Sequence, residues 1–386
     1  MINDRLLLLL IALIPFGQIF RIPISTFGFR LVIQPIDVVV GLILISVLFD
    51  KVKRTRFIKT YGSLIYFLVF SWILGSLTFS IFSLQSIFYL FRLVAYISLV
   101  IFVGFIDIDS TKLIKSLGVV TLISLIFGWV QYFYSPDLRG ISIYGWDEHL
   151  YRLVGSHIDP GFTGIMMVLG LITFLSGVFS GLLTYTLSSL TVLTILFTYS
   201  RASYLAMFAS LFLSLIYTKF KKLILVLIVS SFIIILILPR PFGEGVRLER
   251  TSTAVFRINN YIDTINIWKE SPVFGVGYNN ICEFKENKMD NSCSGSDSSI
   301  LLILATTGVA GLILFIKFLE FPKYLKLLRD PIAIHSRVIV ISAIVVLIHS
   351  SFNNTLFYPW VMAWMALLIG SIKHKPRHPE FSSGSI

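Results

Sequence analysis

Charged residues are scarce in this chain, 13% of 386 positions, and the acidic ones are scarcer, with 20 Asp and Glu against 32 Lys and Arg. Soluble domains carry about a quarter charged residues, so the deficit excludes an ordinary water-facing surface. Cysteine is limited to Cys282 and Cys293, too few for a disulfide-dense scaffold. His149 and His157 lack the cysteine or spaced carboxylate partners of a zinc site. Gly275-x-Gly277 lacks the further glycine and the Lys-Ser/Thr of a phosphate-binding loop and reads as a turn. No internal repeat of the kind that marks two-halved transporters is visible.

What is present is apolar. Hydrophobic residues make up 56% of the chain and aromatics 15%. A helix needs about 20 apolar residues to cross the hydrocarbon layer. Runs suited to this occur near 6–20, 31–49, 61–80, 84–106, 116–134, 162–180, 182–198, 203–217, 223–239, 298–316, 338–352 and 355–372. The expected fold is all-α: one polytopic membrane domain over 1–386 with about twelve transmembrane helices and both termini in the cytoplasm. The first run meets Arg21 without a small-residue cleavage site and is expected to be retained.

The net charge of +12 is divided unevenly among the loops. Every second loop (Arg5, Lys51 to Lys59, Lys112/Lys115, Lys219 to Lys222, Lys317 to Arg337, Lys373 to Arg377) belongs to a set holding 19 basic and 7 acidic residues, whereas the other set holds 12 of each. By the positive-inside rule the basic set is cytoplasmic. The charge is thus an orientation signal, and nucleic acid is not an expected partner. The tail 373–386 is placed in the cytoplasm, and its Ser/Gly-rich end reads as disordered.

Two long loops, 135–161 and 240–297, fall on the extracytoplasmic side. The second includes a segment from Thr253 to Trp268 with Val255, Ile258, Ile262 and Ile265 at helical spacing, ended by Pro272 and Gly275. It predicts an amphipathic helix, either lying on the membrane surface or packed on neighbouring spans. Arg152, Arg201, Arg240, Arg247, Arg250 and Arg257 all fall on this side. Planar guanidinium groups suit bidentate capture of phosphate oxygens, although a lone arginine at a membrane boundary is explained equally by snorkelling. Some of the six are expected to pair with Glu244, Glu249 or Asp263. Arg92, deep in the fourth span, needs an internal partner, for which Asp37 is the candidate.

The order of these elements resembles the O-antigen ligase and polymerase superfamily of bacterial inner-membrane GT-C glycosyltransferases over roughly residues 125–372. Three blocks carry the resemblance: Ser200-Arg201-Ala202-Ser203 at the start of a span; Arg257, Trp268, Pro272 and Gly275-Val276-Gly277-Tyr278 in the large loop; and Asp297-Ser298-Ser299-Ile300-Leu301 followed by Gly308-Val309-Ala310-Gly311. Arg152 with Gly155, Asp159 and Pro160 is a weaker echo. The resemblance implies transfer of a glycan from an undecaprenyl-diphosphate carrier to a hydroxyl of a glycan or lipid-core acceptor, without cofactor or metal, within membrane lipid and alongside a chain-length regulator protein. Ligases of the family typically carry His where this chain has Asp297, so the resemblance favours the polymerase branch.

On that reading Asp297, Arg201 and Arg257 are the expected catalytic residues, and Arg152, Arg250, Arg92, Tyr278 and His349 the expected substrate contacts. A sugar hydroxyl becomes more acidic as it attacks the anomeric carbon, so Asp297 would take its proton while arginines stabilise the departing diphosphate in an inverting displacement. Burial would raise the Asp297 pKa and nearby cations would lower it. The alternative role for Asp297 is to cap the helix that follows. Asp107-Ile108-Asp109 has the form of the metal and nucleotide-sugar motif of soluble glycosyltransferases but no surrounding nucleotide-binding domain, and reads as a solvated loop. Reading the chain as a solute transporter or a lipid-binding or flipping protein remains the alternative of another class.

Overall fold

A computed structural model describes residues 2–26, 29–81, 83–144, 146–285, 295–319 and 334–372. Among the described residues the chain forms thirteen α-helices: α1 (Ile2–Leu13), α2 (Pro35–Phe49), α3 (Lys51–Thr78), α4 (Leu84–Gly104), α5 (Ser110–Tyr134), α6 (Pro160–Leu175), α7 (Gly181–Phe197), α8 (Arg201–Tyr217), α9 (Lys221–Ile237), α10 (Ser252–Glu270), α11 (Ser299–Phe318), α12 (Ile334–Ser350) and α13 (Pro359–Gly370). Each apolar run identified from the sequence carries a helix, and α10 is the amphipathic helix of the large loop. One departure from an all-helical chain is a hairpin of β1 (Ile22–Thr26) and β2 (Phe29–Ile33), paired from Ile22↔Ile33 to Thr26↔Phe29. The tail 373–386 lies outside the described residues.

Local chemistry explains the boundaries. Asp50, Ser83, Asp109, Asp159, Ser200 and Ser298 each precede a helix and accept an amide of its first turn, satisfying donors that have no partner in the preceding turn. Four helices, α3, α4, α5 and α11, are long and apolar enough to cross a membrane alone; α2, α6, α7, α8, α12 and α13 are apolar but shorter. At 1.5 Å per residue the 12 residues of α13 reach about 18 Å, part of a hydrocarbon core about 30 Å thick. Side chains such as Phe49, Leu77, Leu182, Phe232 and Leu236 point outward, as the lipid-facing surface of a bundle requires. The molecule is an all-α polytopic membrane protein.

α6 is the centre of the bundle. Every one of its residues except Phe162 is buried, and α5, α7, α8 and α12 pack around it. A helix apolar on all sides belongs inside a bundle. Its N-terminus and that of α8 therefore sit at one end of the core, beneath the loop that carries α10.

α11 is broken within the membrane. Gly308 has φ +65° and ψ −171°, in the left-handed half of φ that glycine adopts without a Cβ penalty. The amides and carbonyls freed by this break are taken up by the segment after α10: Val276 and Gly277 N–H donate to the carbonyls of Ala305 and Thr306, while Val309 and Ala310 N–H donate to those of Pro272 and Val273. A Cβ at Gly308 would lie 2.2 Å from the Val273 carbonyl carbon, and one at Gly275 2.3 Å from that of Thr306. Irregular backbone is tolerated at such depth only where its polar groups are satisfied by protein. The two backbone segments thus cross in contact, fixing α10 to α11.

Candidate functional site

Three arginines converge where α8 and α10 begin. Arg201, the first residue of α8, donates to the carbonyls of Leu248 (3.4 Å) and Arg250 (3.0 Å) and to the Thr253 hydroxyl (2.6 Å). Arg152 donates to the carbonyls of Thr198 (3.0 Å) and Tyr199 (3.4 Å) at the end of α7. Arg250 donates to the carbonyls of Gly245 (2.7 Å), Arg247 (2.8 Å) and Tyr199 (3.4 Å), and its Nε is buried without a partner. The Arg152 loop is itself clamped by Gln131, whose Oε1 accepts from Val154 and Gly155 N–H.

The oxygens that hold these three guanidinium groups are carbonyls and a hydroxyl, with no formal charge. No carboxylate hydrogen-bonds these three side chains among the described residues, although Asp159 acts on Arg152 and Glu244 on Arg250 from farther away; the helix N-termini of α8 and α10 add positive potential. Burial, and the proximity of Arg250, lower Arg152 to about 10, so it remains a cation at neutral pH. Burial lowers Arg250 as well, helped by Arg201 and Arg257. Of the acidic partners expected from the sequence, Glu249 pairs with Arg240 at 3.1 Å and Glu244 accepts from the Ser252 hydroxyl.

Arg257 differs from its neighbours. Its guanidinium has no hydrogen bond or ion pair among the described residues, yet its field acts on Arg152, Arg250, Asp159 and Asp297. Arg247, which lines a separate surface pocket, likewise has no side-chain hydrogen bond or ion pair among the described residues.

Beside the cluster lies an open cavity of about 1100 Å³. Asp297, Arg92 and Tyr278 line it; Arg152, Arg201, Arg250, Arg257 and His349 do not. Asp297 does not cap α11, since Ser298 Oγ accepts from Leu301 N–H in that role. Its own backbone N–H donates to Asn260 Oδ1 at 2.9 Å, and its carboxylate has no hydrogen-bond partner among the described residues. Burial raises this carboxyl above the ordinary range, while Arg257 and Lys285 offset part of the rise. Of the two opposed effects anticipated from the sequence, burial is the larger.

Arg92 Nε sits 2.9 Å from Asp37 Oδ1, with both side chains almost wholly buried. Tyr96 donates to the same oxygen and Gln34 N–H to the other. Tyr278 packs against Phe357 across the cavity wall. His349 is fully buried. Its Nδ1 lies 2.7 Å from Thr355 Oγ1 and its Nε2 3.3 Å from Ser203 Oγ, joining α12 to the start of α8.

α10 has three faces. Val255, Ile258 and Ile262 are exposed, as a membrane-surface helix requires; Ile267 is buried and Tyr261 donates to the Ser351 carbonyl, as a packed helix requires; and Asn259, Asn260, Asp263 and Asn266 face the cavity. Part of the helix packs on its neighbours, and a separate apolar side is exposed. Of two further residues of the site, one was not singled out from the sequence and the other was named only in the weaker echo around Arg152. Asn260 anchors Asp297, and its position three residues after Arg257 on one helix was the available signal. Asp159 lines the cavity and caps α6 with 2.7 Å to Phe162 N–H. Cys282 is disulfide-bonded; the other cysteine of the chain, Cys293, lies outside the described residues.

Among curated proteins the chain finds no match. Residues 186–316 match the family model described as O-Antigen ligase, a span that runs from α7 through α11 and so includes Arg201, Arg250, Arg257 and Asp297. The matched residues are about a third of this membrane protein, and their similarity supports the O-antigen ligase and polymerase superfamily for this region.

Proposed function

We propose that the protein is an oligosaccharide repeat-unit polymerase, which transfers glycan from an undecaprenyl-diphosphate donor to a sugar hydroxyl at the outer face of the membrane. The observation that carries the reading is that the charge of Arg257 acts on the carboxylate of Asp297, neither side chain having a hydrogen-bond partner among the described residues. Arg257 binds the diphosphate, with Arg201, Arg152 and Arg250 supplying the surrounding positive field. Charge on the leaving diphosphate grows as the anomeric bond breaks, so this field stabilises the transition state more than the ground state.

Asp297 accepts the proton of the attacking hydroxyl. The new C–O bond forms as the bond to the diphosphate breaks, the proton passes to the carboxylate, and the diphosphate leaves with the bonding electron pair. One displacement inverts the anomeric centre. A carboxyl raised by burial is a stronger base than an exposed one once ionised, which suits Asp297 to the role. Guanidinium groups provide the charge stabilisation that a divalent cation provides in other transferases. The loops 135–161 and 240–297 are assigned to the periplasmic side of a bacterial inner membrane, with both termini cytoplasmic.

The test is turnover of a fluorescent undecaprenyl-diphosphate oligosaccharide in EDTA, with wild type, Arg257→Ala and Asp297→Asn compared. A ladder of longer lipid-linked products, lost in both variants, is the expected result. Product formed only when lipid core is supplied would assign the chain as a ligase instead. A bound but unconsumed donor in both conditions would overturn the transferase reading.

A further inference from the structure

Apart from Asn260, one face of α10 has no role in the chemistry described so far. Phe256, Asn259, Asn260, Asp263, Asn266 and Glu270 all line the cavity, and their spacing of three, one, three, three and four residues keeps them on a single face. From Phe256 to Glu270 the face extends about 21 Å along the helix axis, longer than one sugar ring. Its start is fixed chemically, because Asn260 holds the backbone of Asp297 at 2.9 Å. Its far end, at Asp263, Asn266 and Glu270, leads away from that carboxylate along the cavity.

The groups on this face suit hydroxyl recognition. Amides both donate and accept, and carboxylates accept, which together match the donor and acceptor oxygens of a sugar. Asn259, Asp263 and Glu270 make no hydrogen bond or ion pair among the described residues. Other parts of the wall are aromatic, with Tyr89, Tyr278 and Phe357 offering flat apolar surfaces to the faces of sugar rings. Charge narrows the class further. Among the described residues Asp147, Asp159, Asp263, Glu270 and Asp297 line the cavity, against Arg92 and Lys285, and Arg92 is paired with Asp37. Acidic sugars would meet like charge here, which costs binding free energy.

We propose that this face of α10 is a subsite for a glycan chain, uncharged or bearing free amino groups, that runs from the reacting hydroxyl at Asp297 toward Glu270. The proposal rests on the transferase reading only for which end of the chain reacts.

The experiment titrates the purified full chain against immobilised N-acetylglucosamine oligomers of increasing length, their de-N-acetylated counterparts and oligogalacturonates. Affinity is expected to rise with length in the first two series and to be weaker by about tenfold or more in the third. Asn266→Ala and Glu270→Gln are expected to lose the length dependence, and Glu270→Lys to bring the acidic series closer to the others. Equal binding of acidic chains, no dependence on length, no response to the Asn266 and Glu270 variants, or no binding of any series would overturn the proposal. Turnover of the lipid-linked donor, measured in parallel, separates the two readings: turnover without length-dependent binding removes the subsite alone, and binding without turnover removes the transferase alone.

Discussion

The arginine cluster and the cavity share a wall, α10, yet they treat charge in opposite ways. In the cluster, Arg152, Arg201 and Arg250 are held by neutral oxygens and their charge remains unspent. In the cavity the surplus is acidic, and its most buried cation, Arg92, is neutralised by Asp37 at 2.9 Å. The difference teaches that an arginine's partner matters more than its presence. A guanidinium satisfied by carbonyls is an electrostatic resource for an anion, whereas one satisfied by a carboxylate is structural. The division matches a substrate that is a diphosphate at one end and a glycan at the other.

The strongest way to break the comparison is at its junction. Asp297→Asn is expected to lower turnover by about a thousandfold, since a positioned base contributes on that order. The pH profile gives the sign independently. Because burial raises the folded-state pKa of Asp297, activity should rise with pH through a midpoint above the ordinary carboxylate value. The same shift bears on stability. Ionised Asp297 costs the fold stability above its raised pKa, and that cost disappears as pH falls through it. Asp297→Asn should therefore melt at a higher temperature than wild type at neutral pH, a gap that closes in acid. A variant both inactive and less stable at neutral pH would mark Asp297 as structural.

Arg257→Ala is expected to lower kcat by about a hundredfold, the scale for loss of one preorganised donor to a developing anion. Its melting temperature should change little, because no described residue depends on its guanidinium for a hydrogen bond. Arg201→Ala should reduce both turnover and stability, since Arg201 ties α8 to the 248–253 loop through three bonds. Equal stability losses in the two variants would erase the distinction between an open and a tethered arginine.

A smaller effect is expected at Asn260. Asn260→Ala frees the Asp297 backbone and should cost about tenfold in turnover through lost positioning. Asn260→Asp keeps an acceptor for the Asp297 and Ser296 donors but adds negative charge beside the base. Its signature is a rise of the pH midpoint above that of wild type, with much of the plateau rate retained. A shift in the other direction would exclude Asn260 as the neighbour that sets this environment.

Much of this arrangement was legible from residue order. Helices stand at every apolar run because hydropathy reports burial in lipid directly, and α10 emerged from the spacing of Val255, Ile258 and Ile262. Boundaries were less visible. α3 begins at Lys51, ten residues before the apolar run that announced it, because a helix leaving the bilayer continues on hydrogen bonds that hydropathy does not register. The β1–β2 hairpin lies mainly in the connection between the runs 6–20 and 31–49, where hydropathy gives no pairing signal. The break at Gly308 was not legible at all. Its glycine resembles any small residue of a membrane helix, and the carbonyls of Pro272 and Val273 that satisfy the break lie some thirty-five residues earlier. At the site, Arg257 and Asp297 were marked by type and order. That Arg257 is open while Arg201 is tied depends on tertiary contacts with the 248–253 loop, and no local pattern encodes them.

The gentlest test concerns the Arg92 and Asp37 pair, which decides whether the cavity's cation belongs to the glycan or to the fold. Asp37 accepts from Tyr96, from Gln34 N–H and lies against Arg92, so removing one partner strands a charge inside the bundle. Arg92→Met and Asp37→Asn should each destabilise the protein by about 3–5 kcal/mol, whereas the double variant should recover much of that loss, the behaviour of buried pairs replaced together. The activity of the folded double variant then separates the roles. Turnover within about threefold of wild type would mean the pair acts through packing alone, consistent with a cavity whose recognition comes from α10. A larger loss, appearing as a raised KM for glycan with kcat preserved, would show that Arg92, which lines the cavity, contacts the sugar although its charge is already matched, and the line drawn between spent and unspent arginines would have to be moved.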